Sequence, residues 1–303
     1  MTRVLFMGTP DYAADILRTL IDIDDIEVVA VYTQPDKPVG RKAIMTPPVV
    51  KVLAQASHIP VFQPTKLRDT AVTEELLTIE CDMIIVAAYG QILPKAILDH
   101  APCVNLHASI LPQYRGASPI QQSLLHNDTK SGVTAIWMDV GLDTGAIIKI
   151  ETVDISPDEM VETLYTSLSK IACELTVDVI HNWDRKTVIP QNDTIATYCS
   201  KISKANGLIA FENAVVIYNK YRAFTPWPGI YLESGLKLKE MRLVEDNSRG
   251  KAGEILSIES DGIIVQCVQG SLHLSTVQAP SKQETSAVAY LNGKRLGCGN
   301  TLV

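Results

Sequence analysis

RVLFMGTPDYAADILRTL, residues 3–20, passes from an unbroken apolar run into a helical pattern across one short turn. A run without a polar face reads as a strand buried on both sides, and such strands belong to parallel sheets covered by helices. The same kind of run recurs along the first half of the chain. EVVAVYT (27–33), DMIIVAAYG (82–90), PCVNLH (102–107) and GVTAIWMD (132–139) are strand candidates, and helical patterns such as PPVVKVLAQASH (47–58) separate them. This alternation predicts an α/β fold with a doubly wound, mostly parallel sheet, whose ligand lies outside the carboxyl ends of the strands. Thr9 with Pro10, and Ser118 with Pro119, each offer an N-cap followed by proline at the first helical position. AIIKIETVDI (146–155) reads as an added strand, and Ser156 with Pro157 as the cap of a long helix ending near Asp184.

Beyond that helix the pattern changes. VIPQNDTIATYCSKISKAN (188–206) is polar and irregular, which suits a linker. Short alternating runs follow, among them IYLESGLKLKEMRLV (230–244), GIIVQCV (262–268) and SLHLSTVQA (271–279), with turn residues Ser234–Gly235, Asp261–Gly262 and Gly270 between them. They predict a small all-β barrel or sandwich. The expected division is a first domain over 1–187, a linker over 188–206 and a C-terminal domain over 207–303.

Length and composition agree with two domains, since 303 residues exceed the usual single compact unit. The chain has neither an apolar stretch of membrane-spanning length nor the N-terminal pattern of a secretion signal, so a soluble cytosolic protein is expected. Cys81, Cys103, Cys173, Cys199, Cys267 and Cys298 are scattered without a CxxC pair or a histidine at metal-ligand spacing. They read as small core residues, and no metal is expected. The net charge of −7 argues against bulk attraction to nucleic acid. The 17 basic and 25 acidic residues through Lys204 carry that excess, and the 10 basic and 9 acidic residues after it leave room for a basic side.

Several chemistries lack their residues. FMGTPDYAA has one glycine, Gly8, where a dinucleotide fingerprint needs three, and neither a P-loop nor a GxSxG elbow occurs. What remains is VNLHASILPQYRGASP (104–119) with MDVGLDTG (138–145). Asn105 and His107 are two apart and so share a face of an extended strand. An amide beside an imidazole can bind a developing oxyanion, and Asp143, in a glycine-flanked loop after the next strand, could reach the same edge and support the imidazolium. Taken singly, each has a plainer reading: His107 as a satisfied structural residue, Asp143–Thr144–Gly145 as a turn. Together with the SILPQYRGASP loop, whose Pro112 and Gly116 direct the backbone, they read as a site.

At these residues the chain resembles the folate-dependent formyltransferases, most of all the tRNA-specific members. The resemblance rests on Asn105-x-His107, SILP (109–112) with Ile110 in place of leucine, Arg115–Gly116 and GLDTG (141–145). FMGTPDYAA, TQPDKPVGR (33–41), VAAYGQILPKAIL (86–98) and RAFTPWPG (222–229) extend it over nearly the whole chain. It implies that Asn105, His107 and Asp143 are catalytic. It also implies that Tyr89, Gly90, Gln91, Ser109, Ile110, Leu111 and Pro112 hold the donor 10-formyltetrahydrofolate, with no metal. The acceptor implied is the α-amine of methionyl initiator tRNA, a nucleotide-linked amino sugar being the alternative.

Two regions speak to the acceptor. The proline-bounded loop TQPDKPVGRKAIMTPP (33–48) would meet RNA through Lys37, Arg41 and Lys42. The C-terminal domain resembles an oligonucleotide-binding (OB-like) barrel, with Lys201, Lys204, Lys220, Arg222, Lys237 and Lys239 as candidate contacts. A monomer is expected.

Overall fold

The computed structural model describes residues 1–40, 42–182 and 187–303, and of 245–247 the backbone alone. The chain forms two compact units, one of 1–120, 130–155 and 164–200, the other of 121–129, 156–163 and 201–303.

The first unit opens with β1 (Thr2–Gly8), α1 (Asp11–Ile21) and β2 (Ile26–Tyr32). A small hairpin follows, of β3 (Lys37–Val39) and β4 (Ile44–Thr46), then α2 (Val49–Ala56) and β5 (Val61–Phe62). Next come α3 (Thr70–Leu77), β6 (Met83–Ala87), α4 (Lys95–His100), β7 (Cys103–His107) and β8 (Arg115–Gly116). After α5 (Pro119–Leu125), most of which belongs to the second unit, β9 (Lys130–Trp137), β10 (Ile147–Asp154), α6 (Val161–Asn182) and β11 (Tyr198–Cys199) complete the series.

The main sheet has the order β10-β9-β7-β6-β1-β2-β5. Its five strands from β5 to β7 are parallel, as the two-sided apolar runs predict, while β9 and β10 are antiparallel additions. Leu5 and Met7 join Ile84, Val86 and Cys103 in the core on one face, and Val4 and Phe6 are also fully buried. The strand order reverses between β1 and β6, which opens the ligand crevice of a doubly wound sheet at their carboxyl ends. Gly8 closes that turn tightly: a Cβ there would fall 2.5 Å from the Ala13 Cβ.

Of the three helix starts read from sequence, two need correction. Pro10, not Thr9, stands at the cap of α1, and the Thr9 hydroxyl instead donates to the Tyr89 carbonyl at 3.3 Å. Ser118 does stand at the cap position of α5, which Pro119 opens, and its Oγ donates to the Ser200 carbonyl at 2.7 Å. Ser156 lies in a turn ahead of α6, with its hydroxyl on Glu159 at 3.2 Å, and the helix itself starts at Val161.

In the second unit α7 (Ala214–Phe224) precedes β12 (Ile230–Tyr231), β13 (Lys237–Arg249), β14 (Ile255–Ile258), β15 (Ile263–Gln266), β16 (Gln269–Gln278), β17 (Thr285–Ser286) and α8 (Ala287–Lys294). The strands form one antiparallel sheet, β12-β13-β16-β15-β14, with β17 on β16. The alternating runs predicted these strands but not the two helices, so the unit is not all-β. α7 begins with Val215, Val216 and Ile217, β-branched residues that suggest a strand, and the Asn213 side chain caps it on the Val216 amide at 3.1 Å.

Arg222, read from sequence as an RNA contact, is 1% exposed and cannot serve as one. Its guanidinium donates to Asn219 at 2.7 Å, Asn127 at 2.9 Å and the Glu159 carbonyl at 3.4 Å, and lies 5.7 Å from the Tyr218 ring centre. Tyr218 in turn donates to Asp158 at 2.8 Å. These bonds are why 121–129 and 156–163, which the sequence reading includes in the first domain, belong to the second unit.

Arg222→Ala leaves buried acceptors without donors and should cost about 2–3 kcal/mol of stability in urea denaturation.

Candidate active site

Asn105 and His107 sit at the carboxyl end of β7, on the face that carries Cys103. Asp143 reaches them by a route the sequence reading did not anticipate. β9 runs antiparallel to β7, with Trp137 opposite Val104, so its end lies beside the start of β7 rather than at the shared carboxyl edge. The loop 138–146 folds back, and Asp143, at φ 54°, turns its carboxylate onto the pair.

Oδ1 of Asp143 accepts from Asn105 Nδ2 at 3.2 Å, and Oδ2 accepts from the Gly116 backbone N–H at 2.8 Å. His107 Nδ1 lies 3.6 Å from the same Oδ2. Its Nε2 is 2.9 Å from the Tyr114 carbonyl oxygen, which can only accept, so that nitrogen carries a proton. A second proton would sit on Nδ1, facing the carboxylate. The side chains of His107 and Asp143 are 6% and 12% exposed, so these contacts are largely shielded from water.

The glycines of GLDTG are required by close approach. A Cβ on Gly145 would collide with the Trp137 carbonyl oxygen, and one on Gly141 with Thr144 Oγ1. Asp139 braces the loop from within, accepting from the Gly141 N–H at 2.9 Å and Thr144 Oγ1 at 2.6 Å.

The expected donor-holding residues divide into two groups. Ser109 is fully buried and works internally: its hydroxyl donates to the Gln113 carbonyl at 2.6 Å. Thr134 of β9 fixes the turn, donating to the Ser109 carbonyl at 2.6 Å and accepting from the Leu111 N–H at 3.1 Å. Leu111 is buried, while Ile110 and Pro112 are half-buried. In the second loop, Tyr89 is a core residue and its carbonyl accepts from Gln34 Nε2 at 3.0 Å as well as from Thr9. Gln91 is committed to the neighbouring segment, accepting from Leu67 N–H at 2.7 Å and donating to the Pro64 carbonyl at 3.0 Å. Gly90, at φ +81°, is exposed, and a Cβ there would meet only Gln34 Nε2, at 3.8 Å. The loop therefore presents backbone, not side chains, to the crevice.

The 33–48 segment is not a plain loop, because β3 and β4 pair within it. All six strand residues are exposed, so no buried face imposes an alternating pattern on the sequence. Asp36 anchors the base, accepting from Lys51 Nζ at 2.9 Å and Gln63 Nε2 at 2.8 Å, and these bonds hold its carboxyl below the usual carboxylate range, Gln63 contributing most. Lys37 and Lys42 are exposed, and Arg41 lies outside the described residues. Lys201 and Lys204 are exposed, whereas Lys239 pairs with Glu284 at 2.9 Å.

The residues read as a linker are bonded into the first unit as far as Ser200. β11 pairs with β8, and Arg115, 1% exposed, donates to Gln191 at 2.8 and 3.0 Å, Asp193 at 2.7 Å and Tyr198 at 3.0 Å. Cys199 Sγ accepts from the Ser118 N–H at 3.4 Å, and burial pushes its thiol up, so it is no thiolate nucleophile. Thr134 and Gln191 had no separate signal in the sequence, since their part in the site consists of single bonds across the fold, and Gly116, read there for its backbone path, also gives its N–H to Asp143.

A doubly wound sheet with an amide, an imidazole and a carboxylate gathered at its crevice defines a protein of the formyl transferase class. The family model described as "Formyl transferase" matches residues 2–180, and "Formyl transferase, C-terminal domain" matches 201–295. The chain is 56% identical over 300 residues to the methionyl-tRNA formyltransferase of Sulfurimonas denitrificans, covering 99% of both chains. It is 54% identical over 301 residues to that of Nitratiruptor sp., again covering 99% of both. The chain belongs to the methionyl-tRNA formyltransferase family. In fold it is similar to an N-formyltransferase from Helicobacter canadensis solved with folinic acid and dTDP-3-aminofucose, with TM-score 0.66 and 19% identity over 90% of this chain and 99% of that one.

Gly116→Ala should cut turnover on the order of 10-fold or more, because its Cβ would strike the Cys199 carbonyl and shift the N–H that holds Asp143. Steady-state formylation kinetics and a thermal melt on the same preparation separate lost turnover from lost fold.

Proposed function

We propose that this protein transfers the formyl group of 10-formyltetrahydrofolate to the α-amine of methionyl initiator tRNA, yielding N-formylmethionyl-tRNA. The near-full-length likeness to methionyl-tRNA formyltransferases carries the reading. The geometry then supports a role for each residue.

The attacking amine has an ordinary pKa near ~7.7–8.0, so a good fraction is neutral near pH 7 and needs little activation. The costly species is the tetrahedral oxyanion formed when nitrogen adds to the formyl carbon. Asn105 spends one amide hydrogen on Asp143 and offers the other to that oxygen. His107, its Nε2 occupied by the Tyr114 carbonyl, meets the oxygen from its Nδ1 edge when protonated. Asp143 keeps the amide and the ring oriented. Through water it takes the proton released by the attacking nitrogen and returns it to N10 of the folate as the N10–formyl bond breaks. Proton and electron pair balance, leaving tetrahydrofolate and the formylated amine.

The donor would lie along the backbone of 88–91, where the Tyr89 and Gln91 side chains are already engaged in the fold, and against the 109–112 turn. Lys37 and Lys42, with Arg41, Lys201 and Lys204, would contact the tRNA backbone.

Formylation assayed side by side on charged initiator tRNA and on a dTDP-linked amino sugar tests the substrate, and activity on the sugar alone would overturn the reading. Asn105→Ala and His107→Ala should each lower turnover on the order of 100- to 1000-fold with the fold intact. Retention of a third of wild-type turnover by either would remove that residue from the oxyanion site. Lys37→Ala and Lys42→Ala together should raise the KM for charged tRNA and flatten its salt dependence while leaving the donor KM alone.

A further inference from the structure

The stretch 188–200 looks in sequence like a connector, yet it is bonded to the first unit along its length. Ile189 exchanges both backbone bonds with Ile147 at 2.8 Å, Thr197 bonds Pro112 and Arg115, and Cys199 pairs with Gly116. In the middle of this strap sits Gln191. Its Nε2 donates to two carbonyls of the catalytic loop, Asp143 O at 2.8 Å and Gly145 O at 2.7 Å. Its Oε1 accepts twice from the buried Arg115, from Nε at 3.0 Å and Nη2 at 2.8 Å. One side-chain amide thus uses both hydrogens and its oxygen.

The direction of these bonds matters. Asp143 holds a left-handed backbone conformation that β-carbon residues adopt at some cost, and it lies in a loop folded against the run of its own strand. The carbonyls on either side of Thr144 are the handles by which such a conformation can be held. Gln191 grips both and is itself oriented by a guanidinium fixed to Asp193 and Tyr198. We infer that Gln191 is a positioning residue for formyl transfer, setting the Asp143 carboxylate against Asn105 and His107 through the Asp143 and Gly145 carbonyls, with Arg115 as its support. The inference rests on the proposed role of Asp143. It assigns to the strap a part in catalysis without contact to either substrate.

Gln191→Glu separates the two faces of the side chain. A carboxylate keeps its bonds to Arg115 and has no hydrogen for the two carbonyls, so the strap stays attached while the loop loses its hold. Expected are an unchanged melting temperature, a kcat lower on the order of 10- to 100-fold, and KM values for donor and tRNA within about twofold of wild type. Turnover relative to wild type should recover as pH falls and the carboxyl regains a hydrogen. If Gln191→Glu fails to fold, Gln191→Asn, a neutral amide too short to span both sides, should show the same loss of kcat.

The decisive arm is a double-variant cycle with Asp143→Asn. Acting through Asp143, Gln191→Glu should add less than about threefold to the loss already caused by Asp143→Asn. Full multiplication of the two losses, or wild-type kcat for Gln191→Glu beside an impaired Asp143→Asn, would overturn the inference alone. Wild-type kcat for Asp143→Asn would overturn the reading of the site, and the inference with it.

Discussion

A carboxylate turned away from water has to be met by donors on its hidden sides, and Asp143 sets that requirement for the first unit. At 12% exposure it is met by the Asn105 amide, the Gly116 N–H and the edge of His107. Asn105 and His107 come from β7 and Gly116 from the segment after it, so the sheet, that segment and the folded-back loop must all be in register before the carboxylate can be satisfied. The requirement also works in reverse. The carboxylate draws those pieces together, and a site built this way tolerates little displacement of any one of them.

The supports follow from the same demand. Because β9 runs against β7, the loop carrying Asp143 starts from the far end and must double back, which explains why Gly141 and Gly145 tolerate no Cβ. Thr134, on that same β9, ties down the 109–112 turn from the other side. Buried Arg115 needs acceptors of its own and finds them in Gln191, Asp193 and Tyr198. Much of that polar stretch is exposed, but Gln191 and Asp193 within it answer a buried cation, and Gln191 two loop carbonyls as well. At the switch point, Thr9, Gln34 and Tyr89 tie the loops after β1, β2 and β6 together, so the crevice floor is one bonded surface.

Parts of this were legible residue by residue. The pairing of Asn105 with His107 on one face follows from the period of a strand, and GLDTG announces a tight loop. The hairpin at 37–46 was hidden because two exposed three-residue strands impose no pattern, and α7 because its first turn is rich in β-branched residues. Arg222 illustrates the opposite error. A charged residue in a basic segment reads as surface, and only its contacts with Asn127, Asn219 and Glu159 show it to be a buried tie.

By itself the sequence determined the class of fold, the parallel core of the sheet, the antiparallel strands of the C-terminal unit and which residue types are candidates for chemistry. Those properties reside in local periodicity and side-chain type, which a linear chain displays directly. The tertiary structure decided how Asp143 reaches its partners, which faces of Ser109, Tyr89 and Gln91 are already spent, and that 188–200 is a strap rather than a connector. Those are matters of strand direction and of single hydrogen bonds between residues far apart in the chain, 83 positions in the case of Arg115 and Tyr198. No local pattern encodes a bond of that kind, since neither partner alters the periodicity around the other.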